Sequence, residues 1–245
     1  MLAIIGGSGL ARLAELHDTR REIVRTPYGD PSCALTFGRI GAHPVVFLAR
    51  HGYGHTIAPH EINYRANLWA LREVGAGSVL AVATVGGIRA DCDPGVLVLP
   101  DQIIDYTSGR RHTFFDGADQ QVTHIDFTAP YDAALRVRLL EAARRAGEAV
   151  IDGGVYGCTQ GPRLETAAEI VRLERDGCDV VGMTGMPEAA LAREAGLPYA
   201  ALCVVANHAA GKGASRAGIA MDEIRAVLDA TMRRVGRVLA QAAAG

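Results

Sequence analysis

Apolar residues follow two different patterns along this chain. Short apolar runs, which predict strands, occupy residues 2–5, 44–49, 78–83, 96–99, 154–158, 179–181 and 199–206. Between them, apolar residues recur at steps of three or four, which predicts helices over residues 63–74, 132–146, 166–176, 187–195 and 222–243. Strands that alternate with helices are typical of α/β proteins. Because no repeat, low-complexity tract or linker marks a boundary, we expect a single domain over residues 1–245.

Two segments carry further local signals. In the helix predicted over residues 187–195, Pro187 suits the first turn and Gly196 suits the position after the last turn. Residues 105–129 instead combine glycines and charged residues with little periodicity. A stretch of this length without a helix or strand of its own is typical of a functional loop.

The composition argues against several functional classes. The 245 residues, 49% of them apolar, are enough to bury a full core. The 25 basic and 27 acidic residues are spread out and leave a formal net charge of -2, so no basic surface for nucleic acid or anionic membrane is predicted. Met1 is followed by neither a basic leader nor a signal-peptide apolar region, and no uncharged run is long enough to span a membrane. We therefore expect a cytoplasmic protein that binds a small molecule.

The cysteines and histidines do not predict a metal site. The five cysteines are widely separated and include no Cys-x-x-Cys pair, which favours reduced thiols packed as small apolar side chains. His51, His55 and His60 lie close together in the sequence, but two glycines and a proline stand between them. No helix can therefore place these histidines on one face, as a zinc-binding helix would. We expect no metal.

Glycines and polar residues lie where the predicted strands end. They occupy residues 6–9, 50–52, 84–87, 183–184 and 207–208. In open α/β sheets, ligands bind beyond the carboxyl ends of the strands. Hydroxyl groups, an arginine, a histidine, an amide and flexible glycines suit the binding of phosphate together with a polar heterocycle. We therefore expect these residues to line one cleft.

The segment Gly6-Gly7-Ser8-Gly9 leaves several functions open when taken alone. It fits an ordinary turn between a strand and a helix as well as a phosphate-binding loop. It lacks the third glycine of the dinucleotide-binding pattern and the lysine of the Walker pattern. A Rossmann oxidoreductase would also need an acidic residue about twenty positions further on, after a second strand. Glu22 lies near that position, but no predicted strand ends at it.

A nucleoside-binding protein without catalytic activity is a further alternative. Such a protein would keep the cleft and lose the groups that bind phosphate, and Arg50, His51 and Thr184 argue against it. Release of a base that depends on added phosphate would discriminate against both this protein and an oxidoreductase.

Eight groups of residues, in one order along nearly the whole chain, resemble a known family. They are Gly6-Gly7-Ser8-Gly9-Leu10, Arg50-His51-Gly52, residues 55–57 with 63–67, residues 86–89 with 94–95, residues 101–105, residues 115–117, Gly161-Pro162-Arg163, and residues 183–188. The family is that of the trimeric purine nucleoside phosphorylases, and within it the 5'-methylthioadenosine phosphorylases. The resemblance implies one α/β domain with a central twisted mixed β-sheet flanked by helices. It also implies a homotrimer with active sites near the subunit interfaces, a nucleoside and inorganic phosphate as substrates, and no cofactor.

The resemblance implies a phosphate site at the strand ends. Ser8, Arg50, His51 and Thr184 would bind phosphate through their side chains, and Thr84 would bind it through its backbone N–H. These residue types suit the task, because an arginine fork and hydroxyl groups hold phosphate oxygens while one oxygen remains aimed at the sugar C1'. His51 is also expected to be catalytic.

The resemblance implies a second site for the purine and the ribose. A departing purine carries developing negative charge, which preorganised hydrogen-bond donors stabilise. Asn207 would face N7 and the 6-substituent, Glu165 would face N1, and both would be catalytic. The other residues expected to line the purine and the ribose are Leu164, Val181, Gly182, Met183 and Ala209.

The base site departs from the methylthioadenosine phosphorylases, which have aspartates where this chain has Asn207 and Ala209. The pair of Glu165 and Asn207 is similar to that of the phosphorylases specific for 6-oxopurines. An ionised Glu165 accepts the N1–H of a 6-oxopurine, and the Asn207 amide donates to N7 or O6. Adenine has a lone pair at N1, which an ionised Glu165 would repel.

The part of the site expected to bind the 5' end of the sugar differs from that of the inosine and guanosine phosphorylases. Inosine and guanosine phosphorylases bind the 5'-hydroxyl with a histidine near the start of the C-terminal helix, where this chain has Met221. An apolar side chain packs against a methylthio group instead. His124 resembles a residue that methylthioadenosine phosphorylases bring in from the neighbouring subunit to close this pocket.

Together, the base site and the 5' end of the sugar site predict the phosphorolysis of 5'-methylthioinosine to hypoxanthine and 5-methylthioribose 1-phosphate. A methylthioadenosine phosphorylase with an unusual base loop is one alternative. A general inosine and guanosine phosphorylase is the other.

Overall fold

A computed structural model describes residues 1–117 and 121–245, and in these ranges it contains eleven strands and five α-helices. The strands are β1 (Leu2–Gly6), β2 (His17–Glu22), β3 (Leu35–Ile40), β4 (His43–Ala49), β5 (Ser78–Gly87), β6 (Leu97–Leu99), β7 (Gln102–Asp105), β8 (Val150–Asp152), β9 (Val155–Cys158), β10 (Val180–Gly182) and β11 (Tyr199–His208). The helices are α1 (Tyr64–Glu73), α2 (Ala133–Arg145), α3 (Ala167–Arg175), α4 (Gly185–Glu194) and α5 (Met221–Ala244), with a 3₁₀ helix at Gly213–Arg216.

All eleven strands belong to one mixed sheet. Its main path runs β2-β3-β4-β1-β5-β10-β9-β7, and β11 pairs with β5 and β6, while β8 pairs with β6. Strand β5 is parallel to β1 and β11 and antiparallel to β10. The α/β fold with a central mixed sheet flanked by helices is therefore confirmed. Since β1, β4, β5 and β11 are parallel neighbours, their carboxyl ends meet at one edge of the sheet.

Helices cover both faces of the sheet, and this explains why its central strands are continuous apolar runs. Along β5, Val79, Ala81 and Ala83 pack in the same cluster as residues of α1 and α4. The alternate residues Leu80 and Val82 pack in the cluster that contains α2 and α5. Successive side chains of a strand point to opposite faces, so each face of β5 has its own layer of helices.

Three helices begin where the sequence predicts. The side chains of Asn63, Asp132 and Thr166 accept hydrogen bonds from backbone N–H groups in the first turns of α1, α2 and α3. Thr166 and Glu169 form a reciprocal capping box. Helix α4 takes up regular geometry only after Met186, whose backbone is extended. Pro187 therefore lies in its first regular turn, as expected.

Four strands were not predicted, and two predicted strands are too short. Strand β2 is exposed along its whole length, so it lacks the apolar signal of a buried strand; strands β3, β7 and β8 were also missed. Strands β5 and β11 continue to Gly87 and His208, so the polar residues 84–87 and 207–208 belong to strands instead of the loops after them. In β11 the register with β5 shifts between Val205 and Asn207, which marks a β-bulge.

The expected long loop follows β7. In the described part of this loop, residues 106–117 and 121–132, there is no helix or strand. The predicted loop also includes residues 118–120, which lie outside the described residues.

Among the helices of the described residues, none is long and apolar enough to cross a membrane.

Candidate active site

A cavity of about 590 Å³ opens where the parallel strands end. Its volume suits a small molecule. All the site residues expected from the sequence except His124 line it, namely Ser8, Arg50, His51, Thr84, Leu164, Glu165, Val181, Gly182, Met183, Thr184, Asn207, Ala209 and Met221. His124 is exposed and does not line this cavity within the chain. The cavity joins hydroxyl groups and an arginine, a carboxylate and an amide, and an apolar wall in one space.

The turn after β1 brings Ser8 to the cavity. Leu10 N donates to Gly7 O at 3.0 Å, which closes the turn. A Cβ atom at Gly7 would lie 2.6 Å from Val82 O and 2.9 Å from Arg50 Nη1, so no larger residue fits there without displacing the backbone. Ser8 Oγ lies 3.5 Å from Nε2 of His55, which also lines the cavity and for which the sequence predicted no role.

Arg50 is buried beneath the cavity in an ion pair with Glu188. Its Nε and Nη2 donate to the Glu188 carboxylate at 2.6 and 2.8 Å, and Nη1 donates to Val82 O at 2.9 Å. Burial is the largest single influence and lowers the pKa of Arg50, but the charge of Glu188 and the hydrogen bonds to it, with smaller contributions from Tyr199 and Tyr64, together raise the pKa above its usual value. Arg50 therefore stays charged.

The ion pair limits which N–H groups of Arg50 could hold phosphate. The arginine fork expected to hold phosphate is bound to Glu188, a carboxylate that is 0% exposed and also accepts from the Tyr199 hydroxyl at 2.8 Å. Of the five N–H groups of Arg50, those remaining for an anion are the second hydrogens of Nη1 and Nη2. The sequence contained Glu188 in a family motif but gave no sign that it pairs with Arg50.

His51 is buried and electrically neutral near neutral pH. Its Nδ1 lies 2.8 Å from the carbonyl oxygen of Ile57, so Nδ1 carries the hydrogen and Nε2 has the free lone pair. Burial, followed by the charge of Arg50, lowers the pKa of His51 to about 4. The ring also packs on that of His55, with 4.5 Å between the ring centres. His51 therefore offers the cavity an acceptor instead of a positive charge.

We expect the low pKa of His51 to make stability depend on pH. The unfolded chain takes up a proton on this histidine near pH 6.5, whereas the folded chain does so only near pH 4. The free energy of unfolding is therefore fully retained above about pH 6.5 and falls as the pH drops toward 4. Urea unfolding at several pH values measures this, and His51→Gln should flatten the dependence between the two values.

The exposed His43 provides the control for this measurement. His43→Gln removes a histidine without touching a buried ring and should leave the pH dependence as in the wild type. If the free energy of unfolding depends on pH equally in the wild type and in His51→Gln, the low pKa of His51 is not the cause of that dependence.

The base side of the cavity contains a carboxylate and an amide. Glu165 Oε1 accepts from Thr159 Oγ1 at 2.6 Å, and that hydroxyl is also 3.3 Å from Gly182 O. Asn207 Nδ2 donates to His208 O at 2.6 Å, which leaves its second hydrogen and Oδ1 for a ligand. The contact from Thr159 was missed, because nothing in the sequence relates a lone threonine to a carboxylate six residues later.

The far wall of the cavity is largely apolar. Met221 begins α5 and is 54% exposed, and Ile219, Ile224 and Leu228 line the cavity beside it. Ile224 and Leu228 belong to the apolar positions that predict the helix over residues 222–243, and they contribute to both the core and the cavity lining. Two charged residues of α5, Arg225 and Asp229, complete this part of the lining.

Within residues 1–117 and 121–245, no group of three or more histidine, cysteine, aspartate or glutamate residues is arranged to hold a metal ion. The polar groups that line the cavity include hydroxyl groups, the buried guanidinium of Arg50, the neutral imidazole of His51, the amide of Asn207 and the carboxylate of Glu165.

Comparison with known proteins gives a consistent set of similarities. Residues 1–244 match the family model described as the phosphorylase superfamily. A probable S-methyl-5'-thioinosine phosphorylase from Pseudomonas syringae pv. tomato is 55% identical over 98% of this chain and 96% of its own length. A 6-oxopurine nucleoside phosphorylase from Pyrococcus furiosus is 48% identical over 86% of this chain and 80% of its own. Methylthioadenosine phosphorylase from Schistosoma mansoni, solved with adenine, superposes with a TM-score of 0.92 at 33% identity, covering 99% of this chain and 90% of that one.

Proposed function

Because the chain belongs to the phosphorylase superfamily, we propose that it splits 5'-methylthioinosine with inorganic phosphate into hypoxanthine and 5-methylthioribose 1-phosphate. The observation that carries the proposal is a single cavity in which Glu165 and Asn207 lie with the apolar wall at Met221. The names of the similar proteins from P. syringae and P. furiosus point to the same two features, a 6-oxopurine and a methylthio group.

The base site favours a 6-oxopurine. Thr159 donates a hydrogen bond to Oε1 of Glu165, which leaves the other carboxylate oxygen for a base. That oxygen accepts N1–H of hypoxanthine, and the free N–H of Asn207 donates to N7 or O6. As the bond to C1' breaks, the same donor stabilises the negative charge that develops on the purine.

The phosphate site favours one orientation of the nucleophile. Neutral His51 has an acceptor at Nε2, which suits the single O–H of a hydrogen phosphate dianion. The remaining oxygens are then free for Ser8, Thr184 and the two remaining N–H groups of Arg50, and one of them attacks C1'. Thr84 would contribute its backbone N–H, and Met183 would lie beside the ribose. Inorganic phosphate is the co-substrate, and the reaction needs no cofactor.

The 5' end favours a methylthio group over a hydroxyl. Met221, Ile219, Ile224 and Leu228 offer apolar contact to sulfur and methyl but no hydrogen bond to a hydroxyl group. This wall supports a methylthio substrate over inosine, and the base site supports methylthioinosine over methylthioadenosine.

The assembly is proposed to be a homotrimer in the cytoplasm, with active sites near the subunit interfaces. The long loop presents exposed Val122 beside His124, and the cavity mouth presents exposed Leu164 and Met221. These two surfaces, on different parts of one chain, suit a head-to-tail contact that closes into a ring, with His124 reaching the neighbouring cavity. Sedimentation equilibrium tests the trimer, and a monomer would contradict it.

Steady-state rates on methylthioinosine, methylthioadenosine and inosine, each with and without phosphate, test the function. We expect base release to require phosphate and kcat/KM to be highest for methylthioinosine. A preference for methylthioadenosine would overturn the base assignment, and a preference for inosine would overturn the 5' assignment.

Met221→His is expected to raise kcat/KM for inosine relative to methylthioinosine by about 10-fold. A histidine supplies a hydrogen bond to the 5'-hydroxyl and removes apolar contact from the methylthio group. Met221→Leu is the matched control, since it keeps the wall apolar and should leave the ratio of the two rates as it is. An unchanged ratio in Met221→His would show that this side chain does not face the 5' end.

A further inference from the structure

Arg110, in the long loop, is a buried arginine held mainly by backbone carbonyl groups. It is 8% exposed. Nη1 donates to Met183 O at 2.8 Å and to Met186 O at 2.6 Å, and Nη2 donates to Gln160 O at 2.9 Å and to Thr159 O at 3.3 Å. Nε donates to Gln160 Oε1 at 3.1 Å. A buried guanidinium whose five N–H groups all have acceptors fixes the groups around it.

The carbonyl groups around Arg110 belong to two segments that carry the candidate site. Residues 159–165 follow β9 and lead to Glu165, and residues 183–186 lie between β10 and the regular part of α4. The second segment contains Met183 and Thr184, which line the cavity on the sides proposed for ribose and phosphate. A single guanidinium thus joins the segment that faces the base to the segment that faces the sugar and phosphate.

The two segments are also packed closely where Arg110 meets them. Thr159 N donates to Gly182 O at 2.8 Å. A Cβ atom at Gly161 would lie 2.4 Å from Met183 Sδ, so the backbone of one segment lies directly against the side chain of the other. A small change in their separation therefore moves Met183 relative to Glu165.

The loop presents Arg110 from a fixed position. Thr113 Oγ1 and Phe114 N each donate to the Glu194 carboxylate at 2.7 Å, which ties the loop to the end of α4. Arg110 Nη1 is also 3.3 Å from the Tyr64 hydroxyl on α1. These contacts leave the guanidinium little freedom, so its position sets that of the segments it holds.

We propose that Arg110 is a positioning residue for the reaction, which sets the separation between the base-facing segment 159–165 and the sugar-facing segment 183–186. It does so without touching the substrate, since Arg110 is not among the residues that line the cavity. The proposal rests on the proposed function and deepens it. Nucleophile, sugar and base must align closely for the reaction, and a misplacement of about 1 Å lowers the rate about 100-fold.

The kinetic test compares Arg110→Ala with Arg111→Ala. Arg111 is the adjacent arginine, it is 77% exposed and it pairs only with Asp116 among the described residues. We expect Arg110→Ala to lower kcat for methylthioinosine about 100-fold with a much smaller change in the KM for phosphate. Added guanidinium chloride, at concentrations too low to unfold the protein, should restore kcat at least 10-fold in Arg110→Ala only. A kcat within threefold of wild type, or a loss in kcat that guanidinium does not reverse, would overturn the proposal.

A second measurement needs no substrate and separates this proposal from the proposed function. Arg110→Lys keeps the charge and loses the planar fork, and it serves where Arg110→Ala does not fold. Hydrogen exchange of backbone amides should become at least 10-fold faster in residues 159–165 and 183–186 together, and stay unchanged in β1. Unchanged exchange in both segments would overturn the proposal, whereas wild-type protein that leaves methylthioinosine intact would overturn only the proposed function.

Discussion

Glu188→Ala is expected to lower the free energy of unfolding by about 3–5 kcal/mol and to abolish phosphorolysis. The substitution leaves the guanidinium of Arg50, which is 1% exposed, without its carboxylate in the middle of the protein. It also removes the acceptor of the Tyr199 hydroxyl. A buried charge without a partner is far more destabilising than the loss of an exposed pair. Urea unfolding at pH 7 measures the change.

Two further variants separate the lost ion pair from other effects of the substitution. Glu22 forms an exposed pair with Arg20, and Glu22→Ala should lower stability by less than about 1 kcal/mol. The double variant Arg50→Met with Glu188→Leu removes both charges and should recover most of the stability without recovering activity. If Glu188→Ala lowers the free energy of unfolding as little as Glu22→Ala does, the carboxylate of Glu188 does not stabilise a buried charge on Arg50.

Glu165→Gln is expected to reverse the preference between the two bases. Thr159 Oγ1 holds Oε1 of Glu165, so the other carboxylate oxygen is the one available to a base. In the variant, the same hydroxyl holds the amide oxygen and turns the amide NH₂ toward N1. A donor at that position opposes N1–H of hypoxanthine and complements the lone pair of adenine. The ratio of kcat/KM for methylthioinosine to that for methylthioadenosine should fall by about 100-fold or more.

Steady-state kinetics on both nucleosides measure the reversal, with Glu61→Gln as the control. Glu61 is an exposed carboxylate outside the cavity, and its substitution should leave the ratio unchanged. Adding Thr159→Val to Glu165→Gln frees the amide to turn and should reduce the change in ratio. If Glu165→Gln keeps the wild-type preference, the carboxylate does not face N1.

Local patterns predicted much of the fold. Asn63, Asp132 and Thr166 cap helices at the predicted positions because an N-cap depends only on residues of its own turn. Strand β2 escaped prediction because its residues are exposed and its place in the sheet depends on pairing with β3. The polar residues at the ends of β5 and β11 ended the predicted strands too early, because neighbouring strands determine how far pairing continues.

The sequence predicted the residues that line the candidate site better than it predicted their contacts. Residues at strand ends converge because parallel strands end at one edge, a consequence of the fold class. Arg50 and Glu188 are separated by 138 positions, and their pairing becomes visible only when the fold brings the residue after β4 to helix α4. The contacts of Arg110 with Met183 and Met186 likewise span 73 and 76 positions. No local pattern in the sequence therefore indicated that Arg50, Glu188 and Arg110 are buried.

The bulge in β11 has a consequence for how such proteins diversify. Pairing between β11 and β5 is regular up to Val205, and Asn207 and Ala209 come only after the extra residue. The buried interior of the strand thus ends before the positions that line the cavity. An exchange of amide for carboxylate at position 207 would therefore change the polar groups offered to a ligand while leaving the hydrophobic layers of the sheet untouched.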